Sequence, residues 1–335
     1  MTIMVTGGDG YIGSHCVLAL LKKGYDVIIF DSHETSSLRT EELLSGIDLK
    51  GRIIKSIEGN LLNKSDIDSV FNRYEIDSVI HFAAFSQVQE SIDDPAKYYC
   101  NNVCGTMNLL DSMINHNVMK IVFSSTAAIY GEPEHIPIKE DHPQRPINPY
   151  GQTKLIIENI MDDYDAAYGL RSVRLRYFNV IGADPDCLVG EWHEPETHLV
   201  PNLIKSSFDD KTEFQLYGDD YPTKDGTCVR DYVDVNDLVD AHILALEYLN
   251  GGGKTDYFNI GSNGGFTVKE IISECEKVIG KRIRINVCGR RQGDPISLVA
   301  DNDKAKRVLG WEINHSLKDG IHTALRWEKK RRGLL

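Results

Sequence analysis

The chain has 335 residues, 41% hydrophobic and 26% charged, which is the composition of a folded globular protein with more length than one compact core usually serves. Its formal net charge of −13 argues against general affinity for nucleic acid or for anionic membrane surfaces, and no apolar run approaches bilayer length. Two domains are therefore expected, with no nucleic-acid and no membrane partner, and the scattered cysteines point to the cytoplasm.

Met1–Thr6 lacks a basic leader and reads as a first strand, not a signal peptide. Strands are expected at Ile3–Thr6, Val27–Asp31, Ile53–Ile57, Ser78–Phe82, Ile121–Ser124 and Ser172–Phe178. Amphipathic helices fall between them at Gly13–Lys23, Ser65–Tyr74, Ala96–Asn115 and Tyr150–Tyr168. This alternation predicts an α/β fold, a Rossmann-type doubly wound parallel sheet, and the nearly continuous apolar strands fit a sheet covered on both faces. After Phe178 the pattern loosens. Residues 182–198, rich in Asp, Glu, Pro, Gly and His, read as a long loop. Then come a helix at Leu199–Phe208, a strand at Phe214–Tyr217, a polar turn segment, a helix at Val235–Leu249 and a strand at Tyr257–Ile260. Helices at Val268–Ile279, Asp303–Leu309 and Leu317–Lys329 complete the chain. The expected division is 1–178 as a dinucleotide-binding domain, with about 232–262 a candidate to rejoin it, and 179–335 as a smaller substrate domain.

The seven cysteines are scattered, and Cys100 and Cys104 form the sole close pair. No second pair accompanies them, so reduced thiols and no metal site are expected. The basic tail Lys329–Arg332 reads as a solvated chain end.

Gly7, Gly8, Gly10 and Gly13 lie between the first strand and the first helix. Glycine at these places permits a tight turn, close backbone approach to a pyrophosphate, and helix–strand packing. The free N–H groups of the helix start then face the phosphates. Asp31 ends the second strand, where a carboxylate takes ribose hydroxyls and repels a 2′-phosphate, so NAD is expected over NADP even with Arg39 downstream. Among fifteen tyrosines, Tyr150 has a lysine at i+4, Lys154, behind an Asn148-Pro149 helix start. A phenol is a poor base at neutral pH, and a nearby ammonium is expected to lower its pKa. The pair thus suits proton transfer at a sugar or alcohol hydroxyl, with a hydroxyl from Ser124–Thr126 as third partner.

With these residues in view the chain resembles the extended short-chain dehydrogenase/reductases. The segments that carry the likeness are Thr6–His15 (TGGDGYIGSH), His81–Ala84 (HFAA), Ser124–Thr126 (SST), Pro149–Lys154 (PYGQTK), Leu175–Asn179 (LRYFN) and Val229–Tyr232 (VRDY). It runs from residue 3 to about 327 and points most to those members that epimerise UDP-sugars at C4. Gly218–Thr227 (GDDYPTKDGT) is the most specific stretch. The resemblance implies interconversion of UDP-galactose and UDP-glucose through a 4-keto sugar, with NAD kept bound. It implies cofactor contacts from Gly7, Gly10, Tyr11, Ile12, Asp31, Asn60, Leu61, Phe82, Ala83, Asn101, Ser124, Tyr150, Lys154 and Phe178. It implies catalysis by Tyr150, Lys154 and Thr126, with Lys154 lowering the tyrosine pKa. UDP-sugar contacts would come from Thr126, Tyr150, Asn179, His198, Leu199, Tyr217, Arg230, Arg291, Asp294 and Leu298, the arginines suiting a diphosphate.

The chain departs from the family pattern at several places: Asn60 stands for an aspartate, Ser86 for a lysine, His198 for an asparagine, and Leu298 for a tyrosine. Leucine there leaves room for an N-acetyl group, so UDP-GlcNAc and UDP-GalNAc are candidate substrates too. The family's 4,6-dehydratases carry Asp-Glu after the active threonine, where this chain has Ala127-Ala128. An epimerase of UDP-uronic acids or UDP-pentoses, or an NAD-binding protein without catalysis, stays open. The family also implies a homodimer, paired through Ala96–Asn115 and Tyr150–Tyr168.

Overall fold

Strand residues here send alternate side chains to two separate apolar layers, and this pattern determines the architecture. In the computed structural model, which describes residues 1–36, 39–47, 51–209, 212–291 and 293–335, β1 (Thr2–Thr6) puts Ile3 and Val5 into one core and Met4 into another. The neighbouring strands β2 (Asp26–Asp31), β3 (Ile54–Glu58), β4 (Ser78–His81), β5 (Lys120–Thr126) and β6 (Arg171–Tyr177) complete most of a parallel sheet. Ile29 and Val122 face the first layer, and Ile28 and Phe123 face the second. With both faces buried, alternation in polarity disappears, which is why the strands read as unbroken apolar runs.

The sheet order is β10-β6-β5-β4-β1-β2-β3, all parallel, with β10 (Asp256–Ile260) pairing β6 in register Phe258 to Leu175. The winding reverses at β1, and the crevice outside the carboxyl ends of β1 and β4 is where such sheets bind ligands. One face is covered by α1 (Tyr11–Lys22) and α9 (Val235–Asn250), the other by α3 (Lys64–Arg73), α6 (Gly105–Asn115) and α7 (Pro149–Tyr168). Asn63 and Asn148 cap α3 and α7 through side chains that accept from Ser65 and Gly151 N–H. The stretch expected as one helix over Ala96–Asn115 is divided. It runs α5 (Pro95–Tyr98), a π-helical turn at Tyr99–Cys104 and then α6. Short helices α2 (Thr40–Leu44) and α4 (Val88–Asp93) were not foreseen.

The second unit holds β7 (Asn179–Ile181), α8 (Leu199–Ser207), β8 (Phe214–Tyr217), β9 (Val229–Asp234), β11 (Gly265–Thr267), α10 (Val268–Ile279), β12 (Ile285–Cys288), β13 (Ser297–Leu298) and α12 (Leu317–Arg331). β9 is its centre, flanked by β11, β13 and β7, while β8 pairs β12. Its apolar core joins Leu203 of α8, Ile271 of α10, Ile321 of α12 and Tyr232 of β9. α11 (Asp303–Leu309) packs back against the large sheet, as does Trp311, whose indole donates to the Asp237 carbonyl at 2.8 Å. Residues 182–198 contain no helix or strand. Among the described residues no helix is long and apolar enough to cross a membrane.

Candidate active site

The turn from β1 into α1 is shaped by what a side chain would strike. Gly7 sits at φ +72°, and a Cβ there would lie 2.7 Å from Ala83 N; a Cβ on Gly13 would lie 2.0 Å from Gly7 O. Gly10 is the N-cap of α1, and no side chain caps the helix. Its first turn, Tyr11, Ile12 and Gly13, also carries no acidic residue, so nothing anionic competes at that dipole end. The Asp31 carboxylate, at the end of β2, accepts from Asp9 N–H at 3.0 Å and His33 N–H at 2.9 Å. Burial raises its pKa and those N–H groups oppose the rise. Asp9, fully buried, accepts from Thr40 N–H and pairs with His33, both at 2.7 Å. That inner network rigidifies the loop and was not foreseen.

Across the crevice, Phe82 and Ala83 leave the end of β4. Below them His81 bridges Thr6 Oγ1 at 2.5 Å and Thr106 Oγ1 at 2.9 Å. Asn60 orders its own turn by accepting from Leu62 N–H at 2.8 Å, and Leu61 packs against Gly105. Asn101 lies in the π-helical turn and donates to Asn102, which is locked onto the Phe85 backbone by bonds of 2.9 and 3.0 Å. π turns of this kind re-aim side chains and recur at functional sites.

Thr126 ends β5, and Tyr150 and Lys154 rise one turn apart from α7 beside it. The Thr126 hydroxyl accepts from Ala128 N–H at 3.1 Å and lies near enough to the Tyr150 phenol to favour its ionised form. Lys154, 2% exposed, donates to the Ser124 carbonyl at 2.8 Å and lies 4.7 Å from the Phe123 ring centroid. One expectation needs correction. Tyr150 is not lowered: burial pushes the phenol up to about 12, and the neighbouring Thr126 hydroxyl only partly offsets it. Burial also takes Lys154 down to about 7, with Glu158 one turn on pulling it back up. Desolvation outweighs the ammonium because Lys154 is spent on Ser124 O and buried itself.

Sequence reasoning missed Tyr177 and Tyr98. The Tyr177 hydroxyl bonds Ser124 Oγ, and Tyr98 donates to Glu90 at 2.8 Å while lying close enough to Tyr150 to feel its charge. Tyr177 was inside the quoted LRYFN segment, so a signal existed. Tyr98 had none, because its approach depends on tertiary packing.

The second unit supplies the opposite wall. Asn179 opens β7, Leu199 opens α8, and Tyr217 ends β8 under the Arg291 guanidinium, 3.9 Å from ring centroid. Arg230 of β9 donates to Asp294 at 3.1 Å and stands in register with Leu298 of β13. Leu298 packs with Ala127 and Phe178, directly beyond Thr126. Residues 218–227 are cross-tied: Tyr221 N–H donates to Gly226 O at 2.8 Å, and Arg290 holds Asp220 at 2.6 Å. His198 is drawn elsewhere, with its Nδ1 paired to Glu191.

Comparison with known proteins gives a consistent result. A family model described as GDP-mannose 4,6 dehydratase matches residues 4–324. A UDP-glucose 4-epimerase of Lacticaseibacillus casei is 49% identical over 330 residues, covering 98% of this chain and 97% of that protein. A crystal structure of UDP-glucose 4-epimerase from Bifidobacterium longum in complex with NAD+ and UDP superposes with a TM-score of 0.94 at 38% identity, covering 100% of both chains. The UDP-Glc/GlcNAc 4-epimerase of Campylobacter jejuni gives 0.83 at 36% identity over 98% of this chain and 99% of that one.

Proposed function

Because the chain belongs to the UDP-glucose 4-epimerase family, we propose that it interconverts UDP-galactose and UDP-glucose by inverting the sugar at C4, with NAD retained between turnovers. The observation that carries this is that Thr126 at the carboxyl end of β5, with Tyr150 and Lys154 on the adjoining α7, lies on the same edge of the parallel sheet as the uncapped start of α1. The cradle fits a dinucleotide. Side chains on Gly7 or Gly13 would collide with backbone, and the first-turn amides of α1 have no side-chain cap. Gly7, Gly10, Tyr11 and Ile12 would hold the pyrophosphate, and Asp31, Asn60 and Leu61 the adenosine end. Phe82, Ala83, Asn101, Ser124, Lys154 and Phe178 would line the nicotinamide end. NAD, when bound, supplies a hydride acceptor and donor at the sugar C4.

Tyr150 exchanges the proton of the 4-hydroxyl, and Thr126 donates to the same oxygen as it becomes a carbonyl. The resting phenol, near 12, is set for the acid half of the cycle. The base half calls for a cationic neighbour, and a nicotinamide cation and a ribose-bound Lys154 would supply one. Arg230 and Arg291 would grip the diphosphate, with Asp294 orienting Arg230. Asn179, Leu199 and Tyr217 would line the remaining wall, and His198 would join them only by leaving Glu191. Elimination of water, the dehydratase outcome, needs an acid–base pair after Thr126; Ala127 and Ala128 offer methyl groups. A leucine at 298, smaller than the tyrosine of other members, supports acceptance of N-acetylated sugars as well. A homodimer through α5–α6 and α7 is supported by Tyr99, Met107 and Tyr168, which stay exposed there, and a cytoplasmic site by reduced cysteines.

Denaturing the purified protein should release NAD, and the native protein should convert UDP-galactose to UDP-glucose. Tyr150→Phe should lower turnover roughly 10²–10⁴-fold while NAD content stays unchanged. Wild-type turnover in that variant would remove the proton-transfer assignment.

A further inference from the structure

The loop between β7 and α8 carries a cluster that the epimerase chemistry does not use. Glu191, His193, Glu196 and His198 each turn one ligand atom inward, and all four atoms lie within 4.8 Å of one another. His193 Nδ1 is 3.2 Å from Glu191 Oε1 and 3.9 Å from Glu196 Oε1; His198 Nδ1 is 3.6 Å from Glu196 Oε1 and closer still to Glu191 Oε1. The edge of a tetrahedron of zinc ligands, from metal–ligand bonds of about 2.0–2.2 Å, is about 3.4 Å. Each imidazole nitrogen faces two carboxylate oxygens, whereas one N–H can serve one acceptor well. Four ligand atoms gathered this closely are better served by one cation than by two protons. The carboxylates are enclosed, at 6% and 3% side-chain exposure, while the imidazoles at 28% and 48% leave a path from solvent.

We infer that Glu191, His193, Glu196 and His198 form a binding site for a borderline divalent metal of the zinc class, pinning the 182–198 loop to the start of α8. Two nitrogens and two oxygens suit Zn²⁺ or Co²⁺ and disfavour Mg²⁺, which prefers oxygen alone in an octahedron. The four ligands fall within one short stretch of chain, so ordering them costs little closure entropy. A second tie supports the site: Lys205 of α8 holds the other oxygen of Glu196 at 3.3 Å, fixing that carboxylate from behind. The site stands whether or not His198 also reaches the sugar.

The test is titration of the full-length metal-stripped protein with Co²⁺, followed in the visible region. Expected is one equivalent with the intense d–d bands of four-coordinate cobalt, displaced by Zn²⁺ and not by Mg²⁺. His193→Ala and Glu196→Gln, each checked for folding by circular dichroism, should lose those bands. Zinc should also raise the melting temperature of the wild type and leave both variants unmoved. Absence of the bands in the wild type in excess Co²⁺ overturns the proposal, whichever variants fold. So does binding that survives both substitutions, or binding dominated by a sulfur-to-cobalt charge-transfer band, which would assign the metal to the exposed Cys100 and Cys104.

Discussion

Glu158 offers a sharp test of how the site is supported. It lies one helical turn beyond Lys154, and its carboxylate is spent inside the protein. Oε1 accepts from Ser125 Oγ at 2.5 Å and Arg176 Nε at 3.0 Å; Oε2 accepts from Arg176 Nη2 at 2.5 Å. The two side chains are 2% and 1% exposed. Glu158→Gln keeps the shape and removes the charge, leaving a buried guanidinium without its counterion. Breaking such a pair costs about 3–5 kcal/mol, and the retained amide oxygen puts this case near the lower end. At roughly 2 °C per kcal/mol for a large chain, the melting midpoint should fall by about 6 °C. A second readout comes from Lys154, near 7 in the folded protein and held up by Glu158. Without that carboxylate Lys154 loses its proton at lower pH. If the ammonium is the active form, the basic limb of the rate profile moves to lower pH. Glu158→Leu combined with Arg176→Met should recover most of the stability, since neither charge is then left alone. A Glu158→Gln protein that melts like the wild type and keeps its basic limb would refute the reasoning.

Other outcomes follow from the same physics. Burial raises the Asp234 carboxyl to about 6, and its Oδ2 has no hydrogen-bond partner, so the charge costs stability in full above pH 6 and almost nothing below about 3, where it is protonated folded or unfolded. Asp234→Asn, whose amide oxygen can still cap α9, should raise stability at pH 7 by at most about 3 kcal/mol, a gain that vanishes in denaturant melts at pH 3. Gly13→Ala drives a methyl against Gly7 O at 2.0 Å, while at Gly10 the same atom is 3.2 Å away. Gly13→Ala should therefore lose bound NAD and about 1–3 kcal/mol of stability, and Gly10→Ala much less; equal losses would contradict the cradle. Leu298→Tyr should suppress turnover of UDP-GalNAc more than of UDP-galactose, measured as the ratio of kcat/KM values.

Regular alternation in the first half made the Rossmann sheet legible, since Val27–Asp31 or Ser78–Phe82 reads as a buried strand wherever it is met. The strands of the second unit were harder. β7 and β11 are three residues each and β13 two, too short for any period to show. Arg230, Asp231 and Asp234 break the apolar pattern of β9 and hide it as a strand, although its pairing with β7, β11 and β13 organises the whole unit. At the site, residue types were legible and their ionisation was not. The spacing of Tyr150 and Lys154 is written in the chain, but their pKa values depend on how deeply α7 buries them. The loop at 182–198 was legible as a loop, while the inward turn of its four metal-type ligands is a tertiary fact.

The path of the chain between the two units has a mechanical consequence. It crosses after Tyr177, returns from β9 into α9, leaves again after β10, comes back with α11, and departs for α12. The Tyr11 phenol adds a bolt, donating to the Gly182 carbonyl at 2.7 Å. A pair of lobes joined by a single strand can yawn; lobes stitched by many parallel strips resist it, as a piano hinge resists twist. A nucleotide seated under such stitching leaves only by local loosening of loops. Residues 1–178 made alone would leave β6 an open edge where β10 pairs it, and α1 with no α9 beside it, so the binding half is not a detachable module.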